Sequence, residues 1–398
     1  MTRAGPGRRA AMAAGAIGAV GAAGLVVVGP VLSRVLARTE RRMNPVGPGV
    51  LPPVSERAAA LHVTLRIADL HADSLLWGRD LLRRGNRGHV DVPRMAEGNV
   101  ALQVFSMPVK TPRNLNIERN VPTSDDVTLI ALARRWPPAT WRSLTARVLE
   151  LSASAHRFEA ASGGAFRLLK TRADLAAYLT DRAINPSLTA GVLSIEGAHA
   201  LDDDPANVEV VADAGIRMIS PSHFFDTAFG GSAHGMAQGG LTELGRDMIR
   251  RMEARGVILD VAHASAATID DALAVATRPV VASHTGVRGV CDNARNLSDA
   301  HLEGIAKTGG VVGIGFWDTA SGGVEPSWIA RSIAYAVERV GVAHVGLGSD
   351  WDGAVQVPFD AAGLAHLTDA LLDVGLDEAA IRAVMGENTL RVLGETLP

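Results

Sequence analysis

Short apolar runs alternate with amphipathic stretches along most of the chain, from about residue 60 to the C-terminus. The amphipathic stretches carry apolar residues at helical spacing, as "GLTELGRDMIRRMEARG" (240–256) does at Leu244, Met248, Ile249 and Met252. Strand-length apolar runs separated by helices are typical of parallel βα units. Eight of these runs are predicted to be strands: residues 66–71, 100–107, 191–196, 217–223, 257–263, 279–284, 311–316 and 344–350.

This alternation predicts an α/β fold, a (β/α)8 TIM-type barrel. Eight parallel strands in one series suit a closed barrel, which holds about 250 residues or more as one domain. An open, doubly wound sheet is the rival fold, but no glycine-rich phosphate turn follows the first run. Residues 110–185 interrupt the alternation with helix-like segments at 128–135, 141–161 and 174–181, and we expect this insertion to cover a barrel mouth.

The N-terminal region has a different pattern. Residues 10–32 carry no charge and are flanked by arginines on both sides. About 20 apolar residues span a bilayer, so this run predicts a single membrane-anchor helix. A cleaved export signal of bacterial type and an unstructured leader stay open, as does the side of the membrane. The predicted segments are a signal or anchor at 1–42, a proline-rich linker at 43–59 and a barrel at 60–398.

Composition and charge narrow the class of protein. The 398 residues are 47% hydrophobic and 20% charged, which is typical of a globular protein with a large core. The net charge of −3 combines +6 in residues 1–45 with −9 in the rest of the chain. An acidic body argues against a nucleic-acid partner, which requires a basic surface. The only cysteine, Cys291, excludes an internal disulfide and therefore a disulfide-stapled scaffold.

Polar side chains stand at the ends of six of the predicted strands. The carboxyl ends of barrel strands converge on one face, where such enzymes have their active sites. Imidazole and carboxylate groups are zinc ligands, and a buried ring of them would be costly without a cation. Any one of these residues has an ordinary explanation as a core or turn residue, but their shared position favours a metal site. The residues are His71 with Asp73, Glu196, His223, His263, His284 and Asp350.

Five stretches of the chain resemble the membrane dipeptidase (renal dipeptidase) family of amidohydrolase-like metallopeptidases, in that family's order. They are "DLHADSLL", "SIEGAH", "GLTELGRDMIRRMEARGVILDVAHAS", "SHTGVRGVCDNARNLSD" and "HVGLGSDWDG". Together they cover most of the predicted barrel. The resemblance implies a zinc-dependent dipeptidase that hydrolyses the peptide bond of dipeptides with a metal-activated water.

The resemblance also implies a binuclear zinc site. In that site His71 and Asp73 bind one ion, and His263 and His284 bind the other. Glu196 bridges the two ions. The implied cofactor is therefore two Zn²⁺ per chain.

The substrate-contacting residues follow from the same resemblance. His223 polarises the scissile carbonyl, and Arg295 binds the substrate carboxylate. Asp350 lies near the substrate ammonium and the attacking water. Trp317, after the seventh strand, stays open between the pocket and the core.

Two other functions stay open from the sequence. One is a hydrolase of the same fold that acts on another amide or on a lactone. The other is a membrane-tethered binding barrel without catalysis. The animal members of the family are disulfide-linked and lipid-anchored at the C-terminus, whereas this chain has one cysteine and ends in "RVLGETLP". An N-terminal anchor would replace that device, and a homodimer is an open possibility.

Overall fold

The computed structural model describes residues 32–47 and 49–398. Its strands are β1 Ile67–Ala72, β2 Val100–Phe105, β3 Phe166–Leu168, β4 Thr189–Ile195, β5 Ile216–Ile219, β6 Ile258–Asp260, β7 Val280–Thr285, β8 Val311–Ile314 and β9 Val345–Leu347.

The helices begin with α1, residues 32–43. The others are α2 Glu56–His62, α3 Val92–Glu97, α4 Val127–Ala133, α5 Leu144–Ala161, α6 Arg172–Ile184, α7 Asn207–Asp213, α8 Glu243–Ala254, α9 Ala266–Val275, α10 Asp299–Lys307, α11 Asp318–Ser321, α12 Pro326–Val340, α13 Ala365–Asp373, α14 Glu378–Arg382 and α15 Asn388–Thr396. Short 3₁₀ turns lie at Pro138–Trp141, Ala198–Leu201, Val342–His344 and Ala361–Gly363, and a π-helical turn lies at Ala383–Glu387.

Eight of the strands close into a parallel barrel, which confirms the predicted (β/α)8 fold. The hydrogen-bonded order is β2-β1-β9-β8-β7-β6-β5-β4, and a β2–β4 pairing closes the ring. β3 was not predicted; it pairs with the first residues of β4, while β5 pairs with the last. Helices cover the outside of the barrel, so the strands are buried on both faces and appear as continuous apolar runs in the sequence.

The helix patterns fold largely as predicted. The apolar face of α8 buries Met248, Ile249 and Met252, whereas Leu244, which belongs to the same predicted stripe, is exposed. Ser265 caps α9 by accepting a hydrogen bond from the Thr268 amide, which satisfies one of the free donors at the helix start. The helix-like segments of the 110–185 insertion fold as α4, α5 and α6.

Several predicted strands end earlier than their apolar runs do. The run 257–263 gives β6, which ends at Asp260, and the run 217–223 gives β5, which ends at Ile219. The residues that follow are in loops whose backbone no longer has strand geometry. His263, for example, has a φ of 62°, in the left-handed region that costs a non-glycine residue about 1–3 kcal/mol.

Residues 1–31, and with them most of the predicted membrane anchor, lie outside the described residues. Across 32–47 and 49–398, no helix combines the length and the apolar content needed to cross a bilayer. Part of the predicted linker is held against the barrel: the Gly47 amide donates to the Val357 carbonyl over 2.6 Å, and the Val357 amide donates to the Pro45 carbonyl over 3.3 Å. A proline-rich pattern does not reveal such backbone pairing, because its partner is distant in sequence.

Candidate metal centre

The predicted strand-end residues converge at the carboxyl end of the barrel. His71 and His284 lie within β1 and β7, near their ends. Glu196 directly follows β4, as Asp73 directly follows β1. The remaining members lie in the loops after β5, β6 and β9. These are His223, His263 and Asp350, and all seven side chains are buried.

Glu196 stands at the centre of this cluster. Its Oε1 atom lies 3.1 Å from His263 Nε2 and 3.3 Å from His284 Nε2. The same oxygen lies 3.4 Å from His223 Nε2 and 3.6 Å from His71 Nε2. One carboxylate oxygen therefore faces four imidazole nitrogens, which come from four different strands or their following loops.

Asp73 and Asp350 approach the cluster from the side of His71. His71 Nε2 lies 3.5 Å from Asp73 Oδ1 and 3.9 Å from Asp350 Oδ1. The His71–Asp73 pair is thus aimed in the same direction, as the two-residue period of a strand predicts. Asp350 has a φ of 59°, so a sharp turn after β9 directs it toward the cluster.

The donor atoms fit a divalent metal. Zinc bonds of about 2.0–2.1 Å in a tetrahedral arrangement place neighbouring ligand atoms about 3.3 Å apart, close to the separations around Glu196. His71 Nε2 and Asp73 Oδ1 are buried and have no hydrogen-bond partner within the described part of the chain. Polar atoms buried in this way are costly unless a ligand satisfies them.

Three groups of donor atoms are each close enough to hold one ion. They are His71–Asp73–Glu196, Glu196–His223–His263 and His71–His284–Asp350. The first is one of the ligand sets implied by the family resemblance. The other two bring His223 and Asp350 into ligand range, in addition to the substrate contacts predicted for them.

Burial and neighbouring charges shift the pKa values of several groups in the cluster. Burial raises the pKa of Glu196 well above its ordinary value, and the nearby Asp73 charge raises it further. Burial also raises the pKa of Asp350 to about 8. For His71, burial opposes the charged form, but Glu196 and Asp73 outweigh it and raise the pKa to about 10. Bound divalent ions would hold these carboxylates ionised and the imidazoles neutral.

A hydrogen-bond network under the cluster orients two of its histidines. Ser283 Oγ lies 2.9 Å from His284 Nδ1 and 3.3 Å from His71 Nδ1. The same hydroxyl donates to Asp260 Oδ2 over 2.6 Å. Partners of this kind fix the ring orientation of metal-binding histidines. Neither Ser283 nor Asp260 was predicted from the sequence as part of the site.

Asp69, another buried carboxylate near the cluster, forms hydrogen bonds to residues of the neighbouring strand β2 and of the loop after β9. It accepts hydrogen bonds from Gln103 Nε2 over 2.6 Å and from Ser349 Oγ over 2.8 Å. Sequence reasoning missed this residue as well. A signal was present, because Asp69 stands at the two-residue spacing that puts it on the same strand face as His71 and Asp73.

Arg295 lies beside the cluster rather than in it. Its Nη2 donates to the His284 carbonyl over 2.6 Å, and its guanidinium lies 5.6 Å from the centre of the Trp317 ring. Burial lowers the pKa of Arg295 to about 10. Trp317 is itself buried against His284, with ring centres 5.9 Å apart.

A cavity of about 780 Å³ opens above the cluster. Its floor contains most of the predicted ligands, and its walls come from α1, from α4 and from the loop before α4. The insertion therefore covers the barrel mouth, as expected. The floor residues are Asp73, Glu196, His223, His263, His284 and Asp350.

Comparison with known proteins identifies one family. The sequence model described as "Membrane dipeptidase (Peptidase family M19)" matches residues 55–397. An uncharacterised protein from the pqqA 5′ region of Klebsiella pneumoniae is 33% identical over 248 residues, which are 58% of this chain and 89% of that protein. The dipeptidase tcpJ of Claviceps purpurea (strain 20.1) is 26% identical over 319 residues, which are 77% of this chain and 69% of that protein.

Solved structures agree with this result. The dipeptidase AC, a metallopeptidase of family M19, superposes with a TM-score of 0.68 at 26% identity, over 84% of this chain and 99% of its own. A metallopeptidase from Rhodobacter sphaeroides, bound to a phosphinate mimic of the dipeptide L-Ala-D-Ala, gives a TM-score of 0.67 at 25% identity. That match covers 83% of this chain and 99% of the neighbour.

Proposed function

Because this chain belongs to the membrane dipeptidase family and is a metal-dependent dipeptidase, we propose that it hydrolyses dipeptides at a binuclear zinc site bridged by Glu196. His71 and Asp73 would hold one ion, and His263 and His284 the other. The observation that carries the proposal is the position of Glu196 Oε1, which lies within 3.1–3.6 Å of imidazole nitrogens from both implied ligand pairs.

The chemistry at this site follows from the ligands and their partners. When bound, divalent ions lower the pKa of a shared water and act as Lewis acids on a carbonyl oxygen. Ser283 and Asp260 keep the His71 and His284 rings oriented toward the centre. The side chains of the cluster are buried, and their low exposure to solvent strengthens the electrostatic contacts between them.

His223 supplies a hydrogen bond to the substrate, and Asp350 transfers a proton during the reaction. Burial lowers the pKa of His223 well below its ordinary value, so this imidazole is neutral and can donate one N–H to the substrate carbonyl oxygen. Asp350 attracts the substrate ammonium and transfers a proton from the attacking water to the leaving amine.

Arg295 recognises the other end of the substrate. A guanidinium has five N–H donors, and the His284 carbonyl uses one of them, so a pair remains for a carboxylate. Recognition of a free carboxylate and a free ammonium together selects dipeptides by length.

The test is a dipeptide panel assayed with zinc and after chelation. We expect hydrolysis that is lost with the chelator and restored by zinc. Arg295→Ala should raise KM for dipeptides with a free carboxylate and leave C-amidated analogues unaffected. Turnover that resists complete metal removal would contradict the metal mechanism, and an equal effect on amidated substrates would contradict the role of Arg295.

The location and the assembly of the protein stay predictions. We expect residues 10–32 to attach the protein to a membrane or to direct its export, because they are uncharged and long enough to span a bilayer. Carbonate extraction of cells that express the full chain tests the attachment, and sedimentation tests the homodimer. Release of the intact chain into the soluble fraction would refute the anchor.

A further inference from the structure

The helix α1 forms one wall of the cavity above the metal centre. The residues of α1 that line the cavity recur at intervals of three and four, so they form a single face of the helix. They are Leu32, Val35, Leu36, Thr39, Arg42 and Met43. Most of these side chains are apolar, and the face looks across the cavity toward the floor of metal ligands.

A buried charge network fixes α1 to the barrel. Glu40 is fully buried and forms ion pairs with Arg79 and Arg87. Arg79 also pairs with Asp352, which lies two residues beyond Asp350. Breaking a buried network of this kind on one side is strongly destabilising. The position of α1 is therefore coupled to the loop that carries Asp350.

The part of the cavity wall outside α1 also contains apolar side chains. It includes Leu115, Leu129 and Ile130 from the insertion and Trp77 from the loop after β1. Leu129 is 57% exposed, and Val35 on α1 is 51% exposed, although both face a concave surface. Contiguous exposed apolar surface in a cavity is typical of a ligand-binding site.

The volume of the cavity points to the kind of ligand. Pockets of roughly 300–1,000 Å³ accommodate drug-sized molecules. A cavity of about 780 Å³ therefore exceeds what a dipeptide of two small residues fills. In the proposed function the peptide group and the ammonium of a dipeptide bind at the floor beside the metal ligands, so the remaining space suits an apolar substituent.

We propose that α1 and the insertion together form a specificity subsite for a large apolar side chain of the substrate. The preferred substrates are dipeptides in which the residue facing the barrel mouth carries a bulky aliphatic or aromatic group. This inference rests on the dipeptidase function proposed above. It assigns Val35, outside the barrel, to substrate selection.

The test compares two aspartate substitutions on the same helix of the full-length protein. Val35→Asp puts a carboxylate on the cavity face, whereas Ser33→Asp puts one on an exposed position that does not line the cavity. Both positions are exposed, so neither change disturbs the core. The substrates are leucyl-leucine and alanyl-alanine, assayed with zinc, and the metal content of each variant is measured.

We expect the wild-type protein to have the higher kcat/KM for leucyl-leucine. Val35→Asp should lower the ratio of kcat/KM for leucyl-leucine to kcat/KM for alanyl-alanine about tenfold. A change of this size is the scale of one apolar contact in a pocket. Ser33→Asp should leave the ratio unchanged. Equal loss with both substrates, equal effects of both substitutions, or no wild-type preference would overturn the subsite. Failure of the zinc-loaded wild-type protein to cleave any dipeptide would instead overturn the proposed function.

Discussion

Glu196→Gln removes a negative charge from the centre of the metal cluster and keeps the shape of the side chain. Glu196 is buried, and its raised pKa reflects how costly the ionised form is without a neighbouring cation. The substituted protein should therefore be at least as stable as the wild type when both are free of metal. Its metal binding, however, should be severely weakened.

The size of this effect follows from the position of the side chain. Loss of an outer partner of a metal ligand alone lowers affinity about 10–100-fold, so about 100-fold is a lower bound for a charged ligand within 3.1–3.6 Å of the other donors. Zinc at about 1,000 times its Kd stabilises the wild-type fold by about 4.1 kcal/mol for each ion bound. A 100-fold weaker site retains about 1.4 kcal/mol, a loss of about 2.7 kcal/mol.

Urea unfolding of both proteins, with zinc and with a chelator, measures this quantity directly. For each bound ion, the zinc-dependent increase in the free energy of unfolding should be about 4 kcal/mol in the wild type and at most about 1.4 kcal/mol in Glu196→Gln. The two proteins should agree in chelator, or the variant should be the more stable one. Equal zinc-dependent increases would refute the central position of Glu196.

Two further changes test the surroundings of the cluster. Ser283→Ala removes the hydroxyl beside both His71 Nδ1 and His284 Nδ1, so zinc affinity should fall about 10–100-fold in competition with a chromophoric chelator; unaltered affinity would exclude a positioning role. His199 is buried, and burial lowers its pKa to about 3, so the unfolded chain binds the proton first as the pH falls. The stability contributed by the neutral His199 side chain is largest above pH 6.5, and about 1.6 kcal/mol of it is lost between pH 6.5 and 5. His199→Leu should remove that loss in urea unfolding at the two pH values, and an unchanged pH dependence would contradict it.

Much of the barrel could be predicted from the sequence, because strands that are buried on both faces appear as apolar runs. The runs that form β1, β4 and β7 are largely apolar, and each contains or leads into a histidine or a carboxylate. Ring closure then brings those side chains together, since parallel strands present all their carboxyl ends on one face. His71 and Glu196 were therefore predictable from position alone.

Other features depend on contacts that no local pattern encodes. β3 has three residues and exists because it pairs with β4. Asp260 and Ser283 lie within apolar runs, and their role appears only when β6 and β7 are adjacent. The docking of α1 through Glu40 and Arg79 likewise joins residues that are distant in the chain. Such pairings follow from tertiary geometry, which the periodicity of the sequence leaves open.

Anomalous diffraction at the zinc absorption edge, from crystals of the zinc-loaded protein, tests the metal site most directly. We expect two peaks, one bonded to His71, Asp73 and Glu196 and the other bonded to Glu196, His263 and His284. A single peak, an empty cluster, or two peaks that do not share Glu196 would contradict this expectation.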